Sequence, residues 1–467
     1  MNKRFTLLLA ALGLVSPTLV YAQNELGNFS ATGRGGVINT FATDYQAVGV
    51  NPANLGRTGG SRVAFTIGEF GVGASSQSLT RDQLKNFLYH RDDRLSLADK
   101  QALARSFTSK NALNVNAGAT AFGLSVKLPV IGGIAVSSRQ RVVGHAALNR
   151  NAAELLFLGS DAPIYANYNP NSGQVPLISE VLDGSEVQAS FLNEYNIAWG
   201  KQLISLPLFQ LSAGVGYRYV QGYGVLDIRI KPGDLRAYSS LSPVFNIDYS
   251  SVIAGNPNFN AQVNGGLEKT GKGHGFDLGL AAEVGKMIRL GVSVTDIGHM
   301  TWEGNLITAN DQKLKRLNSA GVGTYNFFKE ASEIFASGTD SLFQYQASQS
   351  RQANLPTKLR LGAGLRISEF LETGLDVTLP LNQVAGNIIS PYVGVGVDYK
   401  PVRWIRLSSG VSGGAGYKVG IPLGITFVSS VYEAGISTRD VPGLITSKNP
   451  YLSVAAGFLR FRFGKAD

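Results

Sequence analysis

The sequence predicts an all-β fold: a transmembrane antiparallel up-and-down β-barrel of fourteen or sixteen strands, with an N-terminal plug and short helices in the outer loops. Three observations support this. Apolar and polar residues alternate over long segments, and short and long connections alternate along the chain. Glycine (56), Phe (23) and Tyr (18) are abundant, whereas charged residues make up only 16%. This composition favours strands that pack closely and turn tightly.

A secretory signal peptide is predicted over the first 22 residues. Lys3 and Arg4 precede an apolar run over residues 5–15, and Val20 to Ala22 form a small-x-small cleavage site before Gln23. The alternative is an N-terminal membrane anchor, which needs about 20 apolar residues. We therefore divide the chain into a signal peptide (1–22), an N-terminal plug segment (23–60) and the barrel (61–467). There is no cysteine, which excludes a disulfide scaffold and a cysteine metal site.

Residues 355–366 show the alternation most clearly. Leu355, Leu359, Leu361 and Leu365 share one face of a strand, because successive side chains point to opposite sides. The same pattern recurs over residues 211–219, 276–284 and 393–400. A soluble β-sandwich also alternates, but its strands are typically about 5–6 residues long, and membrane strands need about 9–11.

Connection lengths provide a second test of the barrel. Short turns are predicted near residues 130–133, 205–208, 285–287, 368–369, 401–402 and 429–430. Longer connections are predicted near residues 146–188, 224–273, 304–354, 381–390, 413–419 and 438–449. Six hairpins, with one strand before them (61–75) and one after (451–463), give fourteen strands. A further hairpin within 224–273 would give sixteen. Short turns on one side and long loops on the other are typical of outer-membrane barrels.

Helices are predicted in two segments of the chain. Leu84, Phe87 and Leu88 have helical spacing within residues 80–110, where Ser96 and Asp99 form a capping-box pattern. Residues 311–340 are similar, with Leu314 and Leu317 and later Phe327, Phe328 and Ile334. The order of short and long connections places both on the outer surface; the alternative is a helix inside the lumen.

The last strand carries an assembly signal in our interpretation. Phe461 and Phe463 share a face, and Arg460 and Arg462 share the other. This resembles the terminal signal read by the barrel-assembly machinery, although four residues follow Phe463. The alternative is an ordinary amphipathic strand. Outer-membrane lipid and lipopolysaccharide are the other expected partners, in the outer membrane of a Gram-negative bacterium.

No catalytic or metal-binding constellation stands out, so neither an enzyme nor a cofactor is predicted. Residues 410–414 match the spelling of a nucleophile elbow, which needs a strand-to-helix turn that is not predicted here. His90, His145, His274 and His299 lack the spacing of metal ligands, and we expect them in loops or at the rim. With no basic cluster, nucleic-acid binding is not expected.

Charged residues on the predicted inner face are the candidate functional groups. They are Lys127, Arg218, Asp277, Glu283, Arg289, Lys358, Arg360, Arg366, Asp398 and Lys400. Cations predominate and could attract an anionic head group. The alternative, which we favour, is that opposite charges pair and fill a narrow lumen.

The plug segment carries a family resemblance. Gly33 to Gly36, Asp44 to Ala47 and then Asn51, Pro52 and Ala53 resemble the opening of the long-chain fatty-acid transporter superfamily, in which a glycine-rich plug ends in an Asn-Pro-Ala motif. The resemblance implies fourteen strands, in agreement with the count above. Asn54 departs from the glycine that often follows the motif.

A narrower resemblance covers nearly the whole mature chain. Residues 275–280, 289–298 and 355–362 resemble an uncharacterised barrel family of the Bacteroidota, known only as a domain of unknown function. The wider resemblance implies a plugged channel for hydrophobic or amphipathic small molecules. Related plugged barrels of that phylum act in type IX secretion, which implies a docking or shuttle barrel as the alternative. An open porin is disfavoured, because residues 23–60 should plug the lumen.

Overall fold

The computed structural model describes most of the chain. The described residues are 26–107, 113–171, 175–247, 259, 265–285, 287–327, 329–330, 334, 342–388 and 390–465. The predicted signal peptide (1–22) lies outside the described residues.

The described strands form one antiparallel sheet of 19 segments. They are β1 (Ser61–Ser75), β2 (Leu113–Leu128), β3 (Gly132–Ala147), β4 (Glu186–Leu206), β5 (Phe209–Lys231), β6 (Asp234–Leu241), β7 (Gly271–Val284), β8 (Ile288–Trp302), β9 (Leu306–Asn310), β10 (Gln344–Ala347), β11 (Arg351–Asn354), β12 (Lys358–Arg366), β13 (Leu371–Pro380), β14 (Tyr392–Val402), β15 (Ile405–Gly414), β16 (Tyr417–Gly420), β17 (Leu423–Val428), β18 (Tyr432–Thr438) and β19 (Tyr451–Lys465).

These segments close a barrel of fourteen strands. β11 and β12 together make one barrel strand, which is interrupted at residues 355–357 because Pro356 lacks a backbone donor. β16 and β17 make another, interrupted beside Pro422. β6 extends the β5 hairpin and pairs with β9, outside the barrel wall. Because β5 pairs directly with β7, no barrel strand lies between them, and the alternative of sixteen strands is wrong.

The barrel closes where β1 pairs with β19. Val63 lies opposite Phe463, and Phe65 stacks on Phe461 and Phe463 with ring centroids 5.0 and 6.1 Å apart. Phe463 therefore ends at the rim that carries the short turns. We call this end the periplasmic rim, since short turns face the periplasm in such barrels.

Two predicted connections differ from the structure. The turn placed at residues 401–402 lies at Arg403 and Trp404, just after β14. The longer connection placed at 413–419 is a tight turn at Ala415 and Gly416. Gly414, Ala415 and Gly416 have φ values of 94°, 50° and 81°, and this left-handed run reverses the chain within two residues.

The outer wall is apolar. Val215, Leu278 and Val395 are 48%, 51% and 49% exposed, as expected for side chains that face lipid. Alternation over residues 355–366 predicts that Leu355 faces lipid together with Leu361 and Leu365, and this is wrong: Leu355 is 1% exposed and packs in a buried apolar cluster. The break at Pro356 turns it inward. In the described part of the chain, no helix is long and apolar enough to cross a membrane.

Helices occur mainly outside the barrel wall. The described α-helices are α1 (Phe29–Gly33), α2 (Arg81–Tyr89), α3 (Leu97–Ser106), α4 (Arg150–Leu158), α5 (Ile178–Val181) and α6 (Val441–Ile445). α2 and α3 confirm the helical prediction for 80–110, and Ser96 and Asp99 form the predicted capping box. The prediction for 311–340 is wrong around Leu314 and Leu317, which are not helical, and correct at Phe327 and Ile334, which are; Phe328 lies outside the described residues.

Long connections fold into a cap over the outer mouth. We define the cap as residues 79–107, 148–165, 178–182 and 314–327, which share one buried apolar cluster. Its centre is aromatic: Phe107 stacks on Phe327 at 5.0 Å and lies 5.2 Å from Phe157. These loops are therefore held together by a hydrophobic core of their own.

Replacing Phe461 and Phe463 together with Ser should lower the fraction of folded barrel, because the aromatic stack at the β1–β19 seam is lost. The folded fraction is read from the heat-dependent shift in gel mobility after refolding into lipid vesicles. Phe458→Ser is the matched control on the same strand: Phe458 is 52% exposed and outside that stack. An equal loss in the control would contradict the role of the seam.

Candidate functional site

The described part of the plug segment, residues 26–60, lies inside the barrel lumen. It contains α1 and two short 3-10 helices, Tyr45–Ala47 and Pro52–Gly56. Each begins after a polar residue whose side chain accepts from a backbone N–H: Asn28, Asp44 and Asn51. Polar N-caps let this irregular segment satisfy its backbone groups where little water is present.

The Asn-Pro-Ala motif rests on a glycine surface of the inner wall. Asn51 accepts from Ala53 N (3.1 Å) and donates through Nδ2 to the carbonyl of Leu280 (3.1 Å). Pro52 then starts the last 3-10 helix of the plug segment. A Cβ atom at any of three wall glycines would collide with Asn51 or Pro52; these are Gly200, Gly214 and Gly279. Glycine on the polar face of the strands thus lets the plug segment reach the wall.

Three buried ion pairs also tie the plug segment to the wall. Arg34 contacts Asp398 at 2.8 Å, Arg57 contacts Glu283 at 2.6 Å, and Asp44 contacts Arg460 at 2.6 Å. The pairs involve β14, β7 and β19, so they anchor the segment on well-separated parts of the barrel wall. Removing one partner of such a pair would leave an uncompensated buried charge.

Two further carboxylates of the wall hold the plug segment. Asp376 accepts from the backbone N–H groups of Ile38 and Asn39, both at 2.7 Å. The Tyr45 hydroxyl donates to Glu69 in a short hydrogen bond. Burial, with the neighbouring Glu69 carboxylate, raises the pKa of Tyr45 well above its ordinary value, so the phenol remains a neutral donor.

Arg218 lies at the centre of a fully buried charge cluster. Its guanidinium contacts Asp296 at 2.6 Å, Asp277 at 2.7 Å and Glu194 at 3.3 Å. Arg139 lies 3.2 Å from the same Glu194. Asp296 is in the left-handed region (φ 61°) at a bulge in β8, which turns its carboxylate toward Arg218.

The other predicted lumen charges occupy varied positions. Arg289 and Arg366 both contact Glu372, at 3.4 and 3.3 Å. Lys358 and Arg360 are buried on β12, each 3% exposed. The remaining two are Lys127, which donates to the carbonyls of Arg57 (2.7 Å) and Gly59 (2.6 Å), and Lys400, which is half-buried near the periplasmic rim.

The sequence analysis missed several members of these clusters. Glu194, Asp296 and Glu433 are buried inner-wall carboxylates, and Glu433 pairs with Arg406 and Arg460. Alternation within β4 and β18 could have indicated Glu194 and Glu433. The bulge at Asp296 breaks the alternation, so no periodic signal marks that residue.

The histidine prediction needs correction. Only His90 lies in a connection; His145, His274 and His299 lie on β3, β7 and β8. His145 is 4% exposed and its ring nitrogen is 3.0 Å from Asn114 Oδ1. Among the described residues, no group of three or more His, Cys, Asp or Glu could hold a metal ion.

An apolar chamber lies between the cap and the plug segment. We define it by eight buried residues of the inner wall and its outer extension: Leu192, Val220, Val225, Tyr238, Met300, Trp302, Leu306 and Leu355. Ala353 and Ala385 pack against it. The side chains leave a cavity of about 20 Å³ between them, so the chamber is nearly filled.

A second cavity lies between the plug segment and strands β1 to β3. It measures about 50 Å³, and its lining combines plug residues such as Tyr45 with Glu69, Thr120, Arg139 and Lys358. Lys358 starts β12, three residues after Leu355 of the apolar chamber. An apolar region and a charged region therefore adjoin within the lumen.

The wall beside this second cavity is irregular. Gly68 has φ 78° and Ala121 is bulged out of β2, so the ladder between β1 and β2 skips both residues. On β19 the neighbouring Phe458 and Leu459 are both exposed, at 52% and 47%, which breaks the alternation of that strand. We call this region the wall break.

Fold and site together define a transmembrane β-barrel whose lumen holds an ion-paired N-terminal segment. Residues 52–430 match the family described as "Family of unknown function (DUF5723)", and the chain belongs to that family. This confirms the sequence-based likeness to an uncharacterised barrel family. No curated protein matches the chain.

Solved structures similar to the chain include transporter barrels. The TodX deltaS2S3 mutant monoaromatic hydrocarbon channel is 12% identical, with 94% of this chain and 99% of that chain covered and a TM-score of 0.47. The Pseudomonas putida toluene transporter TodX is 11% identical (95% and 100% covered, TM-score 0.42). A Pseudomonas aeruginosa FadL homologue is 12% identical (95% and 100%, TM-score 0.41). No substrate follows from likeness at this level.

Gly279→Ala should destabilise the barrel by about 1–3 kcal/mol, because the new methyl group would overlap Asn51 of the plug segment. Equilibrium urea unfolding in detergent micelles measures the change. Gly413→Ala is the control: a Cβ there would meet Val419 at an ordinary 3.4 Å. Equal stability of the two variants would show that the glycine surface does not carry the plug segment.

Arg218→Ala should cost about 3–5 kcal/mol of unfolding free energy, since it leaves three buried carboxylates without their shared cation. Arg366→Ala should cost less than about 1 kcal/mol, because the Arg366 side chain is 46% exposed. Comparable losses for both variants would contradict the central role of Arg218.

Proposed function

We propose that this protein is a channel for hydrophobic or amphipathic small molecules in the outer membrane of a Gram-negative bacterium. The observation that carries the proposal is the apolar chamber inside the barrel, which includes Leu355 and lies three residues along the chain from the buried Lys358. An open polar porin does not require buried apolar side chains such as Met300 and Trp302 inside the barrel. An apolar pocket with a few charged groups at one end is the usual form of a site for an amphipathic ligand.

The route we propose avoids the plug segment. The ion pairs of Arg34, Arg57 and Asp44 fix that segment to the wall, so its removal would expose several buried charges. The second cavity instead leads from Lys358 toward the wall break beside Gly68. A ligand that leaves sideways there would enter lipid without crossing a polar pore.

Ala353→Trp should lower the uptake of a labelled long-chain fatty acid by vesicles that contain the protein, because the indole is larger than the cavity of about 20 Å³ and would obstruct the chamber. Ala363→Trp is the control on the same barrel strand, at a position that faces lipid. Uptake by wild type that does not exceed uptake by empty vesicles would overturn the proposal, and so would equal uptake by both variants.

One observation favours a second candidate, a docking or shuttle barrel for secretion or surface assembly. The cap has its own aromatic core and covers the mouth as a folded unit, a suitable platform for a protein partner. Purification from native membranes tests this. A stable partner that is lost when the cap residue Phe107 is replaced with Ser would favour docking, and a clean monomer would count against it.

A further inference from the structure

A third cavity opens at the periplasmic rim, beneath the plug segment. It has a volume of about 390 Å³, in the range of sites that hold small molecules. The end of the plug segment, the start of β1, the turn from β2 to β3, and β4 all contribute to it. Its lining residues are Leu55, Gly56, Arg57, Thr58, Arg62, Lys127, Leu128, Pro129, Val130, Gly132, Lys201 and Gln202.

The lining is cationic. It includes four basic residues and, among the described residues, no carboxylate. Two of the four are already engaged: Arg57 pairs with Glu283 at 2.6 Å, and Lys127 donates to plug carbonyls at 2.7 and 2.6 Å. Arg62 and Lys201 have no carboxylate partner within the described part of the chain. Their charges remain available for an anion from outside.

One side of the same cavity is apolar. Leu128 and Val130 are 40% and 87% exposed at the turn that follows Lys127, and Leu55 is buried above them. Val130 has φ 70°, an uncommon conformation for a β-branched residue, and it holds this side chain outward in the turn. An apolar edge beside unpaired cations matches a molecule that has a hydrocarbon tail and a negative head group.

We infer that this cavity binds the anionic head group, carboxylate or phosphate, of a single-chain amphiphile at the periplasmic rim. The inference rests on the proposed function and narrows its substrates to anionic amphiphiles. Arg62 and Lys201 would supply charge-assisted contacts to the head group, and Leu128 and Val130 would shield the first part of the tail.

Titration calorimetry on the purified full-length protein tests this site with three ligands of equal chain length: palmitate, a monoacylglycerol phosphate and hexadecanol. We expect at least one of the anions to bind about tenfold more tightly than the alcohol. Arg62→Gln should remove most of that difference, and Arg62→Gln with Lys201→Gln should remove the rest. The anion whose affinity falls when Arg62 is neutralised identifies the head group as a carboxylate or a phosphate.

Arg403→Gln is the matched control, because Arg403 is exposed at the same rim and does not line the cavity. Gel mobility before and after heating checks that each variant is folded. The proposed site would be overturned if the wild-type protein bound both anions no more tightly than hexadecanol. It would also be overturned if the preference for an anion were unchanged in the Arg62 variants. Loss of vesicle uptake with charge-dependent binding retained would overturn the channel and leave this site standing.

Discussion

The Asn-Pro-Ala turn lies directly on a glycine surface of the inner wall, and this contact sets the position of the plug segment inside the barrel. Asn51 and Pro52 approach the backbone of β4, β5 and β7 more closely than any side chain would allow. That close approach positions the remainder of the plug segment. Arg34, Asp44 and Arg57 can then reach their partners on distant strands.

Electrostatics inside the lumen follow from this arrangement. The plug segment and the wall bury most inner-wall charges, and a buried charge needs a partner at close range. Arg218 meets that need with three carboxylates, and Glu433 with several arginines. The interior is thus a closed ionic network with an apolar chamber on the outer side and a basic cavity on the periplasmic side. A small molecule that passes through the barrel would use the parts of the lumen that this ionic network does not occupy.

Irregularities in the strands create those regions. Pro356 interrupts one barrel strand and turns Leu355 into the chamber. Gly68 and the bulge at Ala121 disturb the ladder beside the second cavity. Bulges and glycine breaks occur often near functional sites, because they redirect side chains that regular pleating would fix. The apolar chamber, the Arg218 cluster and the second cavity each lie beside such an irregularity.

The class of fold, a choice between fourteen and sixteen strands and the lipid-facing residues of regular strands could all be predicted from the sequence, because side-chain direction in a strand has a period of two. Composition and turn residues are local properties, so they predicted the turns at residues 130–133 and 429–430 and the helices within 80–110. Only the tertiary structure decided how charges pair. Asp296, Leu355 and the cavity near Arg62 depend on bulges, a proline break and contacts between segments that are distant in sequence, and no local pattern encodes those contacts.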